Sequence, residues 1–203
     1  MDLIDNSSDW PYSRAKTTVL RAAASVIRER GPRSATLKNI AQKAGITEPA
    51  IFRHFDGVDG LFEGLFFVFE NHVSRLTACF DRPQKGLDRV LGATHSSLEL
   101  FGQNKDFAYL ALNAEHVFRG YDGMRKRVVE LRDADKAAAV SAFEEAADMG
   151  QLRKELLPRL AAVTIMSTLL YSVQSWIESE LDIDIVGQAF GRISDLVTMF
   201  RIF

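Results

Sequence analysis

Residues 36–55 read TLKNIAQKAGITEPAIFRHF, which is the pattern of two short helices joined by a tight turn. Thr36 is a good N-cap for the first helix, and Gly45 stands where a helix commonly ends in a left-handed residue. Thr47 is placed to cap the second helix. Pro49 falls in the first turn of that helix, where a missing N–H is tolerated. The pattern predicts a helix-turn-helix, a unit whose second helix fits the major groove of DNA.

Apolar side chains recur at helical spacing on one face of each of these helices. The first helix is predicted to span residues 37–44, and the second, the recognition helix, residues 47–55. Ala41 is small at the point where the two helix axes must cross closely, and Ile46 is expected to pack inward from the turn. The inward-facing residues of the two helices are Leu37, Ile40, Ala41, Ile51 and Phe55. The opposite face of the recognition helix is left for DNA.

The segments on either side of this unit narrow its interpretation. Residues 13–30 form a strongly amphipathic helix, and a short linker, residues 56–60, leads into a long apolar run. Across residues 19–61 the succession of residues resembles the TetR family of transcriptional regulators. The residues that carry the resemblance are Leu20, Ala22, Ala23, Arg30, Gly31, Ala35, Thr36, Ile40, Ala41, Ala44, Gly45, Ile46, Thr47, Ile51, Phe52, His54 and Phe55.

The remainder of the chain lacks the alternating β-branched pattern of strands and shows no internal repeat. We therefore predict an all-α fold of about nine helices. A flexible arm, residues 1–12, would precede a DNA-binding domain, residues 13–57. The resemblance implies that residues 58–203 form an effector-binding and dimerisation domain. Beyond the recognition helix, the predicted helices span residues 58–80, 84–102, 106–118, 122–149, 157–180 and 183–203.

The charge of the chain is unevenly distributed along its length. The net charge is −2, but residues 13–55 hold nine Lys and Arg against two Glu, a local charge of +7. The rest of the chain therefore carries −9. A basic segment on an otherwise acidic chain attracts the negatively charged phosphates of nucleic acid, which supports double-stranded DNA as the partner.

Composition and motifs argue against several other classes of protein. A single cysteine, Cys79, leaves no internal disulfide and no cysteine-cluster metal site. No run of eighteen apolar residues and no signal-peptide pattern is present, so we expect a cytoplasmic protein without a membrane partner. No HExxH pattern or Ser/His/Asp set with supporting context appears. We expect no catalytic residue, no metal and no cofactor.

The residues expected to face DNA lie on the recognition helix and around the start of the helix before it. Arg53 can donate two hydrogen bonds to guanine or bind phosphate. Glu48 has two interpretations: it can accept from a cytosine amino group, or stabilise the helix dipole as a solvated carboxylate. Ala50 offers apolar contact only. The predicted DNA-binding residues are Thr36, Lys38, Thr47, Glu48, Ala50, Phe52, Arg53 and His54.

The resemblance implies a DNA-backbone contact for one residue and shows where this sequence differs from the usual family pattern. His54 matches the family position that usually contacts the DNA backbone. Phe52 stands where a tyrosine usually donates its hydroxyl to phosphate, and Gly57-Val58 replaces a usual Ser-Lys pair. Pro49 occupies a position often held by a small residue. These departures predict weaker backbone affinity unless other cations compensate. The cations placed to do so are Arg14, Lys16 and Arg33.

Aromatic side chains are dense beyond residue 58, and the family encloses a small effector among the corresponding helices. Most rings of this kind fill a core. Taken together, their number predicts an effector that is a small apolar or aromatic molecule. The predicted pocket residues are Phe66, Phe69, His72, Phe101, Phe107, Tyr171, Gln174 and Trp176.

The last two predicted helices carry small residues among apolar ones, which favours close helix approach. Glycine inside a helix costs about 1 kcal/mol relative to alanine, so two glycines at a spacing of four suggest a helix contact. Two such helices from each of two subunits would form a four-helix bundle across a two-fold axis. The predicted interface residues are Ala161, Thr164, Thr168, Gly187, Gly191, Ser194 and Thr198.

The leading hypothesis is a ligand-responsive repressor that binds a palindromic operator as a homodimer. A second hypothesis is a nucleoid or division factor of the same fold without a small effector, which a filled bundle core would favour. A third is an all-α enzyme or lipid carrier, which a failure to bind any DNA at low salt would favour.

Overall fold

The computed structural model describes residues 12–179 and 183–202. Within this part the secondary structure is helical apart from one isolated antiparallel bridge, Leu152 to Arg201, and the predicted all-α fold is confirmed. The predicted arm, except Tyr12, and the predicted ends of the last two helices at residues 180 and 203 lie outside the described residues. The α-helices are α1 (Arg14–Arg30), α2 (Leu37–Ala44), α3 (Glu48–Ile51), α4 (Gly57–Ala78), α5 (Gly86–Gly102), α6 (Lys105–Leu112), α7 (Ala114–Val117), α8 (Asp122–Asp148), α9 (Pro158–Glu178) and α10 (Ile185–Phe200).

The turn between α2 and α3 forms as its residues predict. The Thr36 hydroxyl accepts a hydrogen bond from the Asn39 backbone N–H at 3.3 Å and so caps α2. Gly45 has φ +68°, the left-handed conformation that glycine adopts without strain. The Ile46 N–H then donates to the Ala41 carbonyl at 3.0 Å. These bonds fix the angle at which the chain leaves α2 and enters α3.

Three local predictions in this unit were wrong. The recognition helix is regular only over Glu48–Ile51 and continues as turns, although the Phe55 N–H still donates to the Ile51 carbonyl at 3.0 Å. Thr47 has the extended backbone of an N-cap, but its side chain makes no capping bond. Ile46 is 37% exposed because it follows the left-handed turn out of the core.

The predicted helix over residues 106–118 is divided in two at Asn113. Asn113 has φ −106° and ψ 16°, and its side-chain amide donates to the Tyr109 carbonyl at 3.0 Å. An asparagine side chain that bonds to the backbone competes with regular helix formation. The described residues therefore form ten α-helices, where the sequence pattern predicted about nine.

Helices α1 and α4 cross with almost nothing between them. Gly64 lies on α4 at the crossing, where a Cβ atom would come within 3.0 Å of the Leu20 side chain and 3.1 Å of the Phe55 ring. Leu20 and Leu61 are fully buried here. Because protein interiors are close-packed, a shift of α4 at this point must move α1 as well.

The core of the helix-turn-helix continues across residue 57 into the larger helical part. One cluster of buried side chains extends from α1 through α4 to α6, α7 and the start of α8. Phe118 lies at its centre, with ring centroids 5.1 Å from Phe66, 5.8 Å from Phe69 and 6.4 Å from Phe62. These rings fix α4 against the segment that joins α7 to α8.

A second cluster of buried side chains holds α5, α8, α9 and α10 together. The far end of this bundle is closed by backbone bonds around Gln151. The Ile202 N–H donates to the Gln151 carbonyl at 3.0 Å, and the Arg153 N–H donates to the Phe200 carbonyl at 3.0 Å. The Gln151 side chain also accepts from the Leu87 N–H at 2.8 Å. The segment after α8 is thereby tied to both α5 and the end of α10.

The substitution Gly64→Leu should destabilise the protein by about 1–3 kcal/mol, because overpacking of a tight contact forces neighbouring side chains and backbone to shift. Urea denaturation monitored by circular dichroism measures the change. Gly123→Leu is the control, since Gly123 lies near the start of α8 with no atom within 4 Å of an added Cβ. Equal stability of the two variants would contradict a close α1–α4 crossing.

Candidate nucleic-acid interface and internal cavity

The side chains predicted to face DNA lie on α2, on α3 and at the residues that flank these two helices. Ala50 and His54 are partly buried, and the other residues of the set are exposed. Phe52 is 57% exposed, an unusual position for a phenyl ring on a free surface. Because the Thr47 hydroxyl makes no capping bond, it is available to another partner. These residues include cationic, hydroxyl and apolar groups, as contact with phosphate and base edges requires.

Two of the nine cations of residues 13–55 are neutralised by ion pairs. The Arg28 guanidinium lies 2.5 Å from Asp106 on α6, and the Lys43 ammonium lies 2.7 Å from Glu29. The hydrogen bond from Lys43 lowers the pKa of Glu29. Lys16 lies 5.5 Å from the Phe55 ring centroid, a cation–π contact. The cations without a carboxylate partner among the described residues are Arg14, Lys16, Arg21, Arg30, Arg33, Lys38 and Arg53.

A cavity of about 570 Å³ lies in the larger helical part, between α4, α5, α8 and α9 and the end of α6. Its wall is mainly apolar. This volume lies within the range of about 300–1,000 Å³ that is usual for small-molecule sites. The side chains in the wall are Val73, Leu76, Phe80, Val90, Thr94, Ser97, Phe101, Ala111, Leu112, Arg132, Asp133, Asp135, Lys136, Ala139, Phe143, Ala162, Ile165, Met166, Leu169, Leu170, Tyr171 and Gln174.

Three of the eight residues predicted for the pocket contribute to this wall, namely Phe101, Tyr171 and Gln174. Phe69 and Phe107 belong instead to the cluster of buried residues around Phe118, and the partly buried Phe66 packs against that cluster. Their ring density reflects core packing. The helical spacing alone does not tell which side of α4 faces a cavity and which faces a neighbouring helix.

His72 and Trp176 also lie outside the cavity wall. The His72 ring packs 5.5 Å from the Phe101 ring, and its Nε2 is buried without a partner. Burial, with a smaller effect of the nearby Arg75, lowers the pKa of His72 to about 4, so the ring is neutral. The Trp176 indole N–H donates to the Ile183 carbonyl at 3.1 Å, and the Lys105 ammonium lies 5.0 Å from its ring centroid.

The sequence interpretation placed Gln174 in the pocket but missed the charged groups of the cavity wall, all of which lie on α8. One of these groups is Asp135. Burial raises the pKa of its carboxyl to about 6, although a hydrogen bond from Thr77 acts in the opposite direction. The Arg132 guanidinium is held by Glu115 at 2.6 Å and by the Leu112 carbonyl at 2.8 Å. A highly charged helix such as α8 gives no periodic signal that separates an inward Asp from its solvated neighbours.

The outer faces of α9 and α10 expose apolar side chains. By length and composition, α9 is apolar enough to cross a membrane. Only about a third of its most apolar 18-residue stretch is buried inside the protein. Leu160 and Tyr171 on α9 are 57% and 69% exposed, and Met199 on α10 is 64% exposed. Ala161, predicted for an interface, is buried in its own core. Of the other predicted interface residues, Gly187, Gly191 and Thr198 are exposed, and Thr164, Thr168 and Ser194 are half-buried.

The model of the family described as "Bacterial regulatory proteins, tetR family" matches residues 19–65, which include α2 and α3. The chain belongs to this family. It is a DNA-binding transcriptional regulator and not an enzyme. Among curated relatives, the HTH-type transcriptional repressor BepR of Brucella suis is 24% identical over 93% of each chain. The nucleoid occlusion factor SlmA of Alteromonas mediterranea is 26% identical over 57% of this chain and 60% of that protein.

Solved structures of other transcriptional regulators share the fold over most of the chain. The ketosteroid transcriptional regulator KstR2 of Mycobacterium tuberculosis superposes with a TM-score of 0.82 at 18% identity, over 95% of this chain and 97% of that one. FadR of Bacillus subtilis, solved in complex with stearoyl-CoA, gives a TM-score of 0.66 at 18% identity, over 90% and 97%. At these identities the likeness shows the fold alone.

The variant Arg53→Ala should lower the affinity of this TetR-family regulator for its specific site by about 1–3 kcal/mol if Arg53 reads a guanine. If Arg53 binds only phosphate, specific and random DNA should weaken alike. Fluorescence anisotropy with labelled duplexes distinguishes the two. Lys154→Ala, an exposed cation on the loop after α8, is the control. Unchanged affinity for both duplexes would remove Arg53 from the interface.

The variant Asp135→Asn should be more stable than the parent protein at pH 8. The folded-state pKa of Asp135, about 6, lies above its ordinary value of 3.8, so the folded protein holds this proton more tightly than the unfolded chain. Its contribution to stability is present below about pH 4 and is lost as the pH rises through 6. The expected gain at pH 8 is roughly 1–3 kcal/mol.

The gain should vanish near pH 4, and thermal denaturation across this pH range measures it. Asp133→Asn is the matched control, because Asp133 is exposed on the same helix. A pH-independent difference between Asp135→Asn and the parent protein would rule out a buried titrating carboxyl.

Proposed function

We propose that the protein is a ligand-responsive repressor that binds a palindromic operator as a homodimer in the cytoplasm. The observation that carries this proposal is the mainly apolar cavity, because α4 contributes to its wall and also packs against the DNA-binding helices. A ligand in the cavity and the contact with DNA therefore share one rigid element.

The proposed coupling follows two contacts. The second half of α4 contributes Val73 and Leu76 to the cavity, and its first half packs against α1 at Gly64. The end of α6 lies at the cavity as well, and the start of α6 holds α1 through the Arg28–Asp106 ion pair. A ligand that favours one spacing of α4 and α6 changes the position of α1 and with it the separation of two recognition helices. Only differential affinity for the two arrangements produces such a shift.

The proposed dimer uses the exposed apolar face of α9 and α10. Leu160, Leu170 and Tyr171 on α9 and Met199 on α10 are all at least 43% exposed. Several exposed apolar side chains on two helices that pack together favour an interface. A second copy would cover them through an antiparallel packing of the same two helices. Gly191 has no atom within 4 Å of an added Cβ, so a partner helix could approach closely there.

The names of similar proteins agree with this assignment. BepR is named a repressor, FadR was solved with stearoyl-CoA, and KstR2 is named a ketosteroid regulator. The alternative, a nucleoid or division factor without an effector, is supported by the similarity to SlmA proteins over about half of the chain. A cavity of about 570 Å³ favours the effector-responsive function, because a protein without a ligand gains nothing from unfilled space in its core.

The variant Gly191→Leu should weaken dimerisation, since overpacking of a close helix contact costs about 1–3 kcal/mol. Sedimentation velocity should then detect monomer, and affinity for a two-half-site operator should fall, because two linked recognition helices must bind sites one helical turn apart. Gly123→Leu, equally open within the chain but on α8, should remain dimeric. A fully dimeric Gly191→Leu protein would place the interface elsewhere.

The proposed function itself is tested on the DNA that flanks the protein's own gene. The dimer should retard this DNA, and a ligand shown by calorimetry to bind in the cavity should release it. Binding that shows no two-fold footprint, or a bound ligand that leaves DNA affinity unchanged, would contradict the proposal.

A further inference from the structure

Most polar groups in the cavity wall already have partners or lie in solvent. The Thr94 hydroxyl donates to the Val90 carbonyl at 2.8 Å. The Arg132 guanidinium is occupied by Glu115 and two backbone carbonyls. Asp133 and Lys136 are exposed at the rim and carry opposite charges. None of these groups demands a ligand.

Asp135 differs from them because its carboxylate is mostly buried and poorly satisfied. Its one hydrogen bond among the described residues comes from the Thr77 hydroxyl at 3.4 Å. The same hydroxyl lies 3.2 Å from the Val73 carbonyl, and it has a single proton to donate. No ion pair to Asp135 is formed within the described ranges 12–179 and 183–202. A carboxylate can accept about four hydrogen bonds, so most of its capacity is unused.

We propose that the cavity takes an amphipathic effector whose apolar body fills the space and whose cationic head, a protonated amine, pairs with Asp135. A mostly buried carboxylate without a cationic partner is unfavourable, and a charge-assisted hydrogen bond from an ammonium group reduces that cost. The apolar wall contributed by Leu76, Phe101 and Ile165 takes the remainder of the molecule. The head group thus gives orientation, and the apolar body gives affinity.

The same geometry disfavours the other head groups. An anionic head would meet the mostly buried carboxylate of Asp135, which has the same charge, while Arg132 in the cavity wall is already held by Glu115. A neutral hydroxyl could donate one bond but would leave the charge of Asp135 uncompensated. This inference rests on the proposed function, since it names the class of effector for the same cavity.

The test uses three compounds with the same ten-carbon chain: decylamine, decanol and decanoate. Isothermal calorimetry on the full chain without DNA, at pH 8, measures each affinity. We expect decylamine to bind most tightly. Decanoate binding as tightly as decylamine, or decanol binding as tightly, would overturn the proposal, and so would a failure of decylamine to bind.

Variants then assign the effect to Asp135. Asp135→Asn should reduce decylamine affinity by roughly thirtyfold or more, as loss of one partner of a buried charge pair does, and should leave decanol affinity within about threefold. Asp133→Asn, the matched control on the same helix, should change decylamine affinity little. An equal loss in both variants would show a general electrostatic attraction and overturn the assignment. Decylamine that binds through Asp135 but does not release DNA would support the head-group inference while contradicting ligand-responsive repression.

Discussion

The approach of α4 to α1 at Gly64 is the contact on which the rest of the molecule depends. A side chain at this position would press on Leu20 and Phe55, so the two helices move together. Phe55 lies in the turns that continue the recognition helix beyond α3, and Leu20 lies on α1. On the opposite side, the rings around Phe118 hold α4 against α7 and α8. α4 is therefore fixed between DNA-facing helices and cavity-forming helices, with little freedom to adjust independently.

The open cavity and the mostly buried Asp135 both lower the stability of the folded protein. A tightly filled core would be more stable than one with about 570 Å³ of open space, and an apolar residue would be easier to bury than Asp135. Proteins tolerate such unfavourable local features mainly where function needs them. The exposed face of α9 and α10 is also unfavourable for stability, because the apolar side chains of Leu160 and Tyr171 remain in water in the isolated chain.

Local features of the fold could be predicted from the sequence, because their causes are local. The cap at Thr36 and the left-handed Gly45 each depend on a few neighbouring residues, and both formed as predicted. The position of the cavity depends on how distant helices pack. Periodicity places Phe66 and Phe101 equally well on inward faces, and only the assembled bundle puts one in a core and the other in a cavity wall. The buried state of Asp135 has the same origin.

The ion pairs between distant parts of the chain likewise could not be predicted from the sequence. Arg28 counts as one more cation in a basic segment, but its partner, Asp106, is far away in sequence and adjacent only in the folded protein. The DNA-facing charge is thus smaller than a count of residues 13–55 suggests. The ion pair is partly exposed, so its contribution is modest, and its importance lies in holding α6 against α1.

The open space in the bundle also links the stability of the protein to the binding of a ligand. A molecule that enters the cavity binds the folded chain and not the unfolded one, so mass action shifts the folding equilibrium. At a concentration one hundred times its dissociation constant, such a molecule adds about 2.7 kcal/mol to the free energy of unfolding. The melting temperature of the protein therefore ranks candidate compounds before any operator is known. For the proposed effector, the same linkage predicts that resistance of the protein to proteolysis in a cell rises with the effector concentration.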